Sequence, residues 1–234
     1  MKTRTIALIL TLLISSNAFA EETSVNTLKI TNSSKTTLAV NEFDQQGYYT
    51  FRPDLRKCMW PLCGGFFVKA VNQTLTRCAD GSRRAECYVA SLNNRKNFDI
   101  SAAALVQGAV KPKTYQEFGN LGIFAVIAAF NSATETVGDQ LFVGLENNAI
   151  VCITTPCFSV DQYLLNRKKI RVISDIDLEA VGASEALLGE ALSIIAKGEV
   201  LIASGINQQT EEVGGKGVAF VAYQFYLPIK PKIR

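Results

Sequence analysis

Six cysteines and no histidine limit the chemistry open to this chain. Histidine is the commonest general base and metal ligand, and the usual activator of a serine or cysteine nucleophile. The cysteines are Cys58, Cys63, Cys78, Cys87, Cys152 and Cys157. Zinc sites favour roughly two to four residues between paired ligands. The stretches CMWPLC at 58–63 and CITTPC at 152–157 fit that range, but Cys78 and Cys87 have eight residues between them. No Cys-x-x-Cys redox motif is present. An even number of cysteines with near neighbours reads as disulfides, and local spacing pairs Cys58–Cys63, Cys78–Cys87 and Cys152–Cys157. No metal and no cofactor is expected.

The remaining chemical candidates are few. Asp175 and Asp177 in SDIDLE stand two apart, so a strand would turn both carboxylates to one face, with Glu179 close behind. A strand end leading into a helix accounts for the same pattern more simply. No Ser-x-x-Lys or Gly-x-Ser-x-Gly signature occurs. Gly214-Gly215-Lys216-Gly217 lacks the Ser or Thr of a phosphate loop and reads as a hairpin turn. No residue is assigned a catalytic role.

The compartment supports the disulfide reading. MKTRTIALILTLLISSNAFA opens with Lys2 and Arg4, continues with a short apolar run and ends Ala18-Phe19-Ala20. This is the pattern of a secretory signal peptide over residues 1–20, too short in its apolar part to span a membrane. The mature chain is expected in the periplasm or secreted, where disulfides form. Without the leader it carries 22 basic and 21 acidic residues, which provides no field for nucleic acid or anionic membrane. No later segment is apolar enough for a membrane span.

The elements that position these residues come in two copies. CMWPLCGGFFVKAVN and CITTPCFSVDQYLLN both read cysteine, four residues, cysteine, eight residues, asparagine. Upstream, 47–51 parallels 140–145; downstream, 124–131 parallels 200–207. Strands are expected at 48–51, 66–71, 88–92 and 124–130, then at 141–145, 160–165, 170–176 and 200–206. A helix is expected over 184–197, capped by Ser184 and ended by Gly198, with Leu187, Leu188, Ala191, Leu192 and Ile195 as its apolar stripe. Its first-copy equivalent is expected at 101–110. A last strand at 218–227 resembles the opening strand of a unit. The fold class is α+β: two pseudo-symmetric β-rich units, each strand, clip, two strands, helix, strand, sharing one core. The divisions are a leader at 1–20, an arm or added strand at 21–46, unit one at 47–138 with a hairpin insert stapled by Cys78 and Cys87, and unit two at 139–234 with the closing strand.

The runs PLCGGFFVKAVN, CADGSRRAECYV and PCFSVDQYLLN resemble a family of secreted bacterial proteins catalogued only as a domain of unknown function. The resemblance covers most of 47–207 and implies export and disulfides. It brings no catalytic residues.

Recognition candidates lie in the first copy. Trp60, the only tryptophan, sits inside the Cys58–Cys63 ring, while Thr154 holds the matched place in the second. Either Trp60 packs on the core beside Met59 and Leu62, the commoner fate of large aromatics, or it is an anchor held out on a stapled loop. Arg83 and Arg84, with Arg77, make a basic tip on the insert, or a solvated turn. These features suggest a non-enzymatic exported binding protein for an unknown protein or envelope component, with protease inhibition as the sharpest form. A carboxylate- or serine-dependent envelope hydrolase and a structural envelope protein are the alternatives.

Overall fold

The computed structural model describes residues 46–135 and 140–232. The leader, the arm up to residue 45, residues 136–139 and the last two residues lie outside the described residues. The first unit contains β1 (Gly47–Pro53), β2 (Phe66–Ala70), β3 (Thr76–Arg77), β4 (Arg83–Arg84), β5 (Cys87–Val89), β6 (Ser91–Asn93), β7 (Leu105–Lys111) and β8 (Ile123–Ser132). The second contains β9 (Leu141–Asn147), β10 (Val160–Leu164), β11 (Lys169–Ile173), β12 (Asp175–Asp177), α1 (Glu185–Ala196), β13 (Leu201–Glu212) and β14 (Gly215–Pro228).

The two units repeat one pairing scheme. Strands β5-β2-β1-β7-β8 lie side by side and antiparallel, and β6, one residue beyond β5, pairs parallel with β8. Strands β11-β10-β9-β13-β14 do the same, and β12 pairs parallel with β14. Each unit is therefore a closed cycle of strand pairings. The cycles join where residues 130–132 of β8 meet residues 226–228 of β14. A register shift falls at Gln107/Gly108 in one unit and at Ser204/Gly205 in the other.

Two sequence expectations are corrected. Residues 101–110 are not a helix: a single 3-10 turn, Ile100–Ala102, precedes strand β7. The alanines at 102–104 suggested a helix, but β1 and β8 each need a neighbour, and Val106 and Val110 suit a pleated strand. The counterpart of β7 is β13, so the counterpart of β8 is β14 rather than 200–207. Strand β14 thus closes the second unit and does not repeat an opening strand.

Helix α1 starts and ends much as its sequence suggests. Glu185 stands in its first turn, and Gly198 follows at φ 71°, a left-handed conformation that glycine adopts without strain. The Ser184 side chain makes no capping bond; its backbone carbonyl accepts the Leu188 N–H at 3.0 Å. Ala191 is buried, with Leu187, Leu188 and Ile195 packed beside it on the second core, whereas Leu192 is exposed and Ile194 packs instead.

Each unit has its own core, and a third cluster lies between them. Val68, Val89, Val106 and Phe124 belong to the first, and Val143, Leu145, Leu201 and Phe220 to the second. The shared cluster takes matched residues from both, Val71 with Leu165 and Leu105 with Ile202, together with Phe142 and Tyr226 of the second unit, whose first-unit counterparts Tyr48 and Phe130 pack against it. At its edge Asn72 and Asn166, both in the left-handed region at φ 58° and 59°, leave β2 and β10. The Asn72 amide donates to the carbonyls of Phe142 (2.7 Å) and Leu165 (2.9 Å), and its oxygen accepts the Phe142 N–H. The Asn166 amide donates to the carbonyls of Tyr48 (2.7 Å) and Val71 (3.0 Å), and its oxygen accepts the Tyr48 N–H.

Candidate functional site

The first clip joins β1 to β2. Its base closes where the Asp54 N–H donates to the Gly65 carbonyl at 2.9 Å. Cys58 and Cys63 are disulfide-bonded across the loop, and the Leu62 N–H donates to the Met59 carbonyl at 3.0 Å inside that ring. The Trp60–Pro61 bond is cis. Asp54 has a buried carboxylate, and Arg56 clasps both its oxygens at 2.9 Å while also reaching the Leu62 carbonyl at 2.9 Å. Tyr88 on β5 donates its hydroxyl to the Pro61 carbonyl at 2.7 Å. Two successive loop carbonyls are thus held by side chains anchored elsewhere. The Arg56 hydrogen bonds hold the Asp54 carboxyl below its ordinary range, and burial raises the Tyr88 phenol.

Gly64 and Gly65 suit this loop in different ways. Gly64 adopts φ 78°. Gly65 lies so close to β5 that a Cβ would strike the Val89 carbonyl. These contacts account for the glycines standing where the second copy has Phe158 and Ser159.

The clip displays its apolar residues outward. Met59 is 69 % exposed and Trp60 61 %, with Leu55 and Leu62 also exposed. Trp60 therefore does not pack in the core. Its ring meets Tyr115 edge-on at 5.6 Å, and the Lys113 ammonium lies 5.0 Å from the Tyr115 ring centre. Tyr115 is itself buried, and its hydroxyl lies 3.0 Å from the Ser91 hydroxyl. One flank of the indole thus rests on a fixed support, and the rest faces solvent.

The insert carries β3 and β4, with Cys78 bonded to Cys87 across it. Asp80 accepts the Ser82 N–H at 3.0 Å and hydroxyl at 2.6 Å, and pairs with Arg84 at 3.2 Å. Arg84 is therefore tied down, and Arg83 beside it is exposed. Leu62 and Arg84 line one groove of about 360 Å³ with Arg56, Glu86 and Tyr88. The structure brings these two candidates together; Trp60 turns instead to Tyr115.

The second clip, Cys152–Cys157, also presents apolar side chains, a feature the first-copy reading missed. Val151 and Ile153 are almost wholly exposed, as is Val213 at the β13–β14 tip. Gly214 packs against the Thr155 carbonyl, which brings that tip to the clip. The run Ala149-Ile150-Val151 ahead of Cys152 was the available signal.

The carboxylates at 175–179 have local backbone roles. Asp175 accepts the Ile176 N–H at 2.8 Å. Asp177 accepts the N–H groups of Glu179 (3.0 Å) and Ala180 (3.3 Å), starting the 3-10 turn Glu179–Val181. Among the described residues, no group of three or more His, Cys, Asp or Glu side chains is placed to hold a metal ion, and no helix is long and apolar enough to cross a membrane.

The chain belongs to the family described as Domain of unknown function (DUF6748), which matches residues 47–232. No curated protein and no solved structure matches it.

Proposed function

We propose that this protein is a non-enzymatic binding protein, exported to the periplasm or beyond, that recognises a macromolecular partner through the first clip. One observation carries the reading: Met59, Trp60 and Leu62 are exposed on a loop held by a disulfide, the Asp54–Arg56 clasp and the Tyr88 hydroxyl. A loop already ordered loses little conformational freedom on binding, and a large aromatic at its centre supplies the contact area of a binding hot spot. Arg83 and Arg84 on the insert extend the surface with positive charge. A disulfide-braced loop also resists cleavage, so inhibition of an extracellular protease is the sharpest form of the proposal.

Titration against a panel of extracellular proteases tests that form. Inhibition at micromolar protein, weakened about tenfold or more by Trp60→Ala, is expected. No inhibition anywhere in the panel removes the inhibitor form. The broader reading is tested by exposing immobilised wild-type and Trp60→Ala proteins to envelope extract. A component held by the first and lost from the second is the expected result; identical retention on both, or none, overturns it.

A further inference from the structure

The two units differ most where the insert lies. By strand register, Tyr49, Val68, Cys87 and Val110 of the first unit correspond to Val143, Gln162, Arg171 and Asn207 of the second. In the first unit this set is closed over. Cys78 of the insert is bonded to Cys87 and packs in the same cluster as Val68, and the Tyr49 ring meets Phe124 edge-on at 5.1 Å. The second unit has no insert; residues 165–168 connect β10 directly to β11. The matching set stands open as a groove of about 380 Å³. That size lies within the range of small-molecule sites, roughly 300–1,000 Å³.

The groove is amphiphilic. Leu141, Leu164 and Ile206 form its apolar wall. Gln162, only 5 % exposed, and Asn207 exchange two amide hydrogen bonds of 2.9 and 3.0 Å where the first unit has two valines. The second unit has therefore not merely lost a cover; its lining is polar where the first is aliphatic. Lys169 and Arg171 project from β11 on the same side and form no ion pair among the described residues. Two uncompensated cations beside an apolar wall complement one kind of ligand, an acid head on an alkyl body. Arginine suits such a head because its planar fork matches carboxylate or phosphate oxygens.

We infer that this groove is a binding site for a small amphiphilic anion, with the acid group on Lys169 and Arg171 and the alkyl chain against Leu141, Leu164 and Ile206. The site is separate from the first clip. Calorimetric titration of the whole protein with octanoate, octyl phosphate and octanol tests it, and the two anions distinguish a carboxylate from a phosphate head. At least one anion should bind about tenfold or more tightly than octanol, and the double variant Lys169→Gln/Arg171→Gln should weaken it about tenfold or more. Both residues are exposed, so the variant keeps the core intact, which circular dichroism would verify. The inference is overturned if neither anion binds by about 10 mM. It is equally overturned if octanol binds as well as the anions, or if the double variant binds like the wild type.

Discussion

Asn72 and Asn166 each fasten the first strand of the unit to which they do not belong: Asn72 clasps Phe142 on β9, and Asn166 clasps Tyr48 on β1. Each makes three hydrogen bonds to backbone groups of the other unit, from a left-handed backbone that asparagine tolerates better than most residues. Asn72→Ala or Asn166→Ala should destabilise the fold by about 2–4 kcal/mol, through lost bonds and the strain of alanine in that region. Asn→Gly at either position should cost about 1 kcal/mol less, since glycine relieves the strain but not the lost bonds. Urea unfolding of the four variants would measure this, and losses below about 0.5 kcal/mol would place the clasp among ordinary surface contacts.

Gly108 and Gly205 occupy matched places beside the two register shifts. A Cβ on Gly108 would run into the Ala125 carbonyl and the Phe124 ring, and one on Gly205 into the Val221 carbonyl and Ala222 Cα. Alanine at either site should cost about 2–4 kcal/mol by overpacking. Gly189 in the exposed face of α1 has nothing within 4 Å, so Gly189→Ala should instead stabilise by about 0.5–1 kcal/mol. Equal effects at all three positions, read by thermal unfolding, would refute the steric account.

Acid should loosen the first clip. Arg56 holds the Asp54 carboxyl below its ordinary pKa, so the clasp's contribution is complete above the unfolded value, about 4, and is lost as pH falls through the folded one. Trp60 is the only tryptophan and sits inside the clip, so its fluorescence anisotropy reports the loop directly. Anisotropy should hold steady from neutral pH down to about 4 and fall below it. Asp54→Asn should show the lower value already at neutral pH, and a variant indistinguishable from wild type would contradict this role.

Tyr163 donates its hydroxyl to Glu146 at 2.8 Å, and that carboxylate pushes the phenol up to about 12. The neutral phenol is favoured in the folded state, so this stabilisation is whole below the unfolded value of about 10 and is lost as pH rises through the folded one. NMR titration of the labelled ring should show Tyr163 ionising well after an ordinary tyrosine. Glu146→Gln should bring the midpoint back toward 10; an unchanged midpoint would assign the shift elsewhere.

Much of the repeat was legible because its signals are local. The two clips with their trailing asparagines lie within short windows of sequence, and the apolar stripe and Gly198 marked α1. Strand β7 was not legible: the alanines at 102–104 just ahead of it read as helix, and the open edges of β1 and β8 that recruit it come from distant parts of the chain. The one mistaken element also displaced the matching of β8, which belongs with β14. In the candidate site, Trp60 and its ring were visible, but Asp54, Arg56, Tyr88 and Tyr115 were not, since nothing in their spacing relates them to the clip.

By itself, then, the amino-acid sequence determined that cysteine, cysteine and asparagine recur at one spacing, because a repeat is written along the chain. Only the tertiary structure decided what those asparagines do. Their partners, Phe142 and Leu165 for Asn72, Tyr48 and Val71 for Asn166, are backbone groups of the other unit. Backbone groups carry no residue-specific signal, and it is the pairing of β8 with β14 and the apolar cluster shared by the units that bring them within reach.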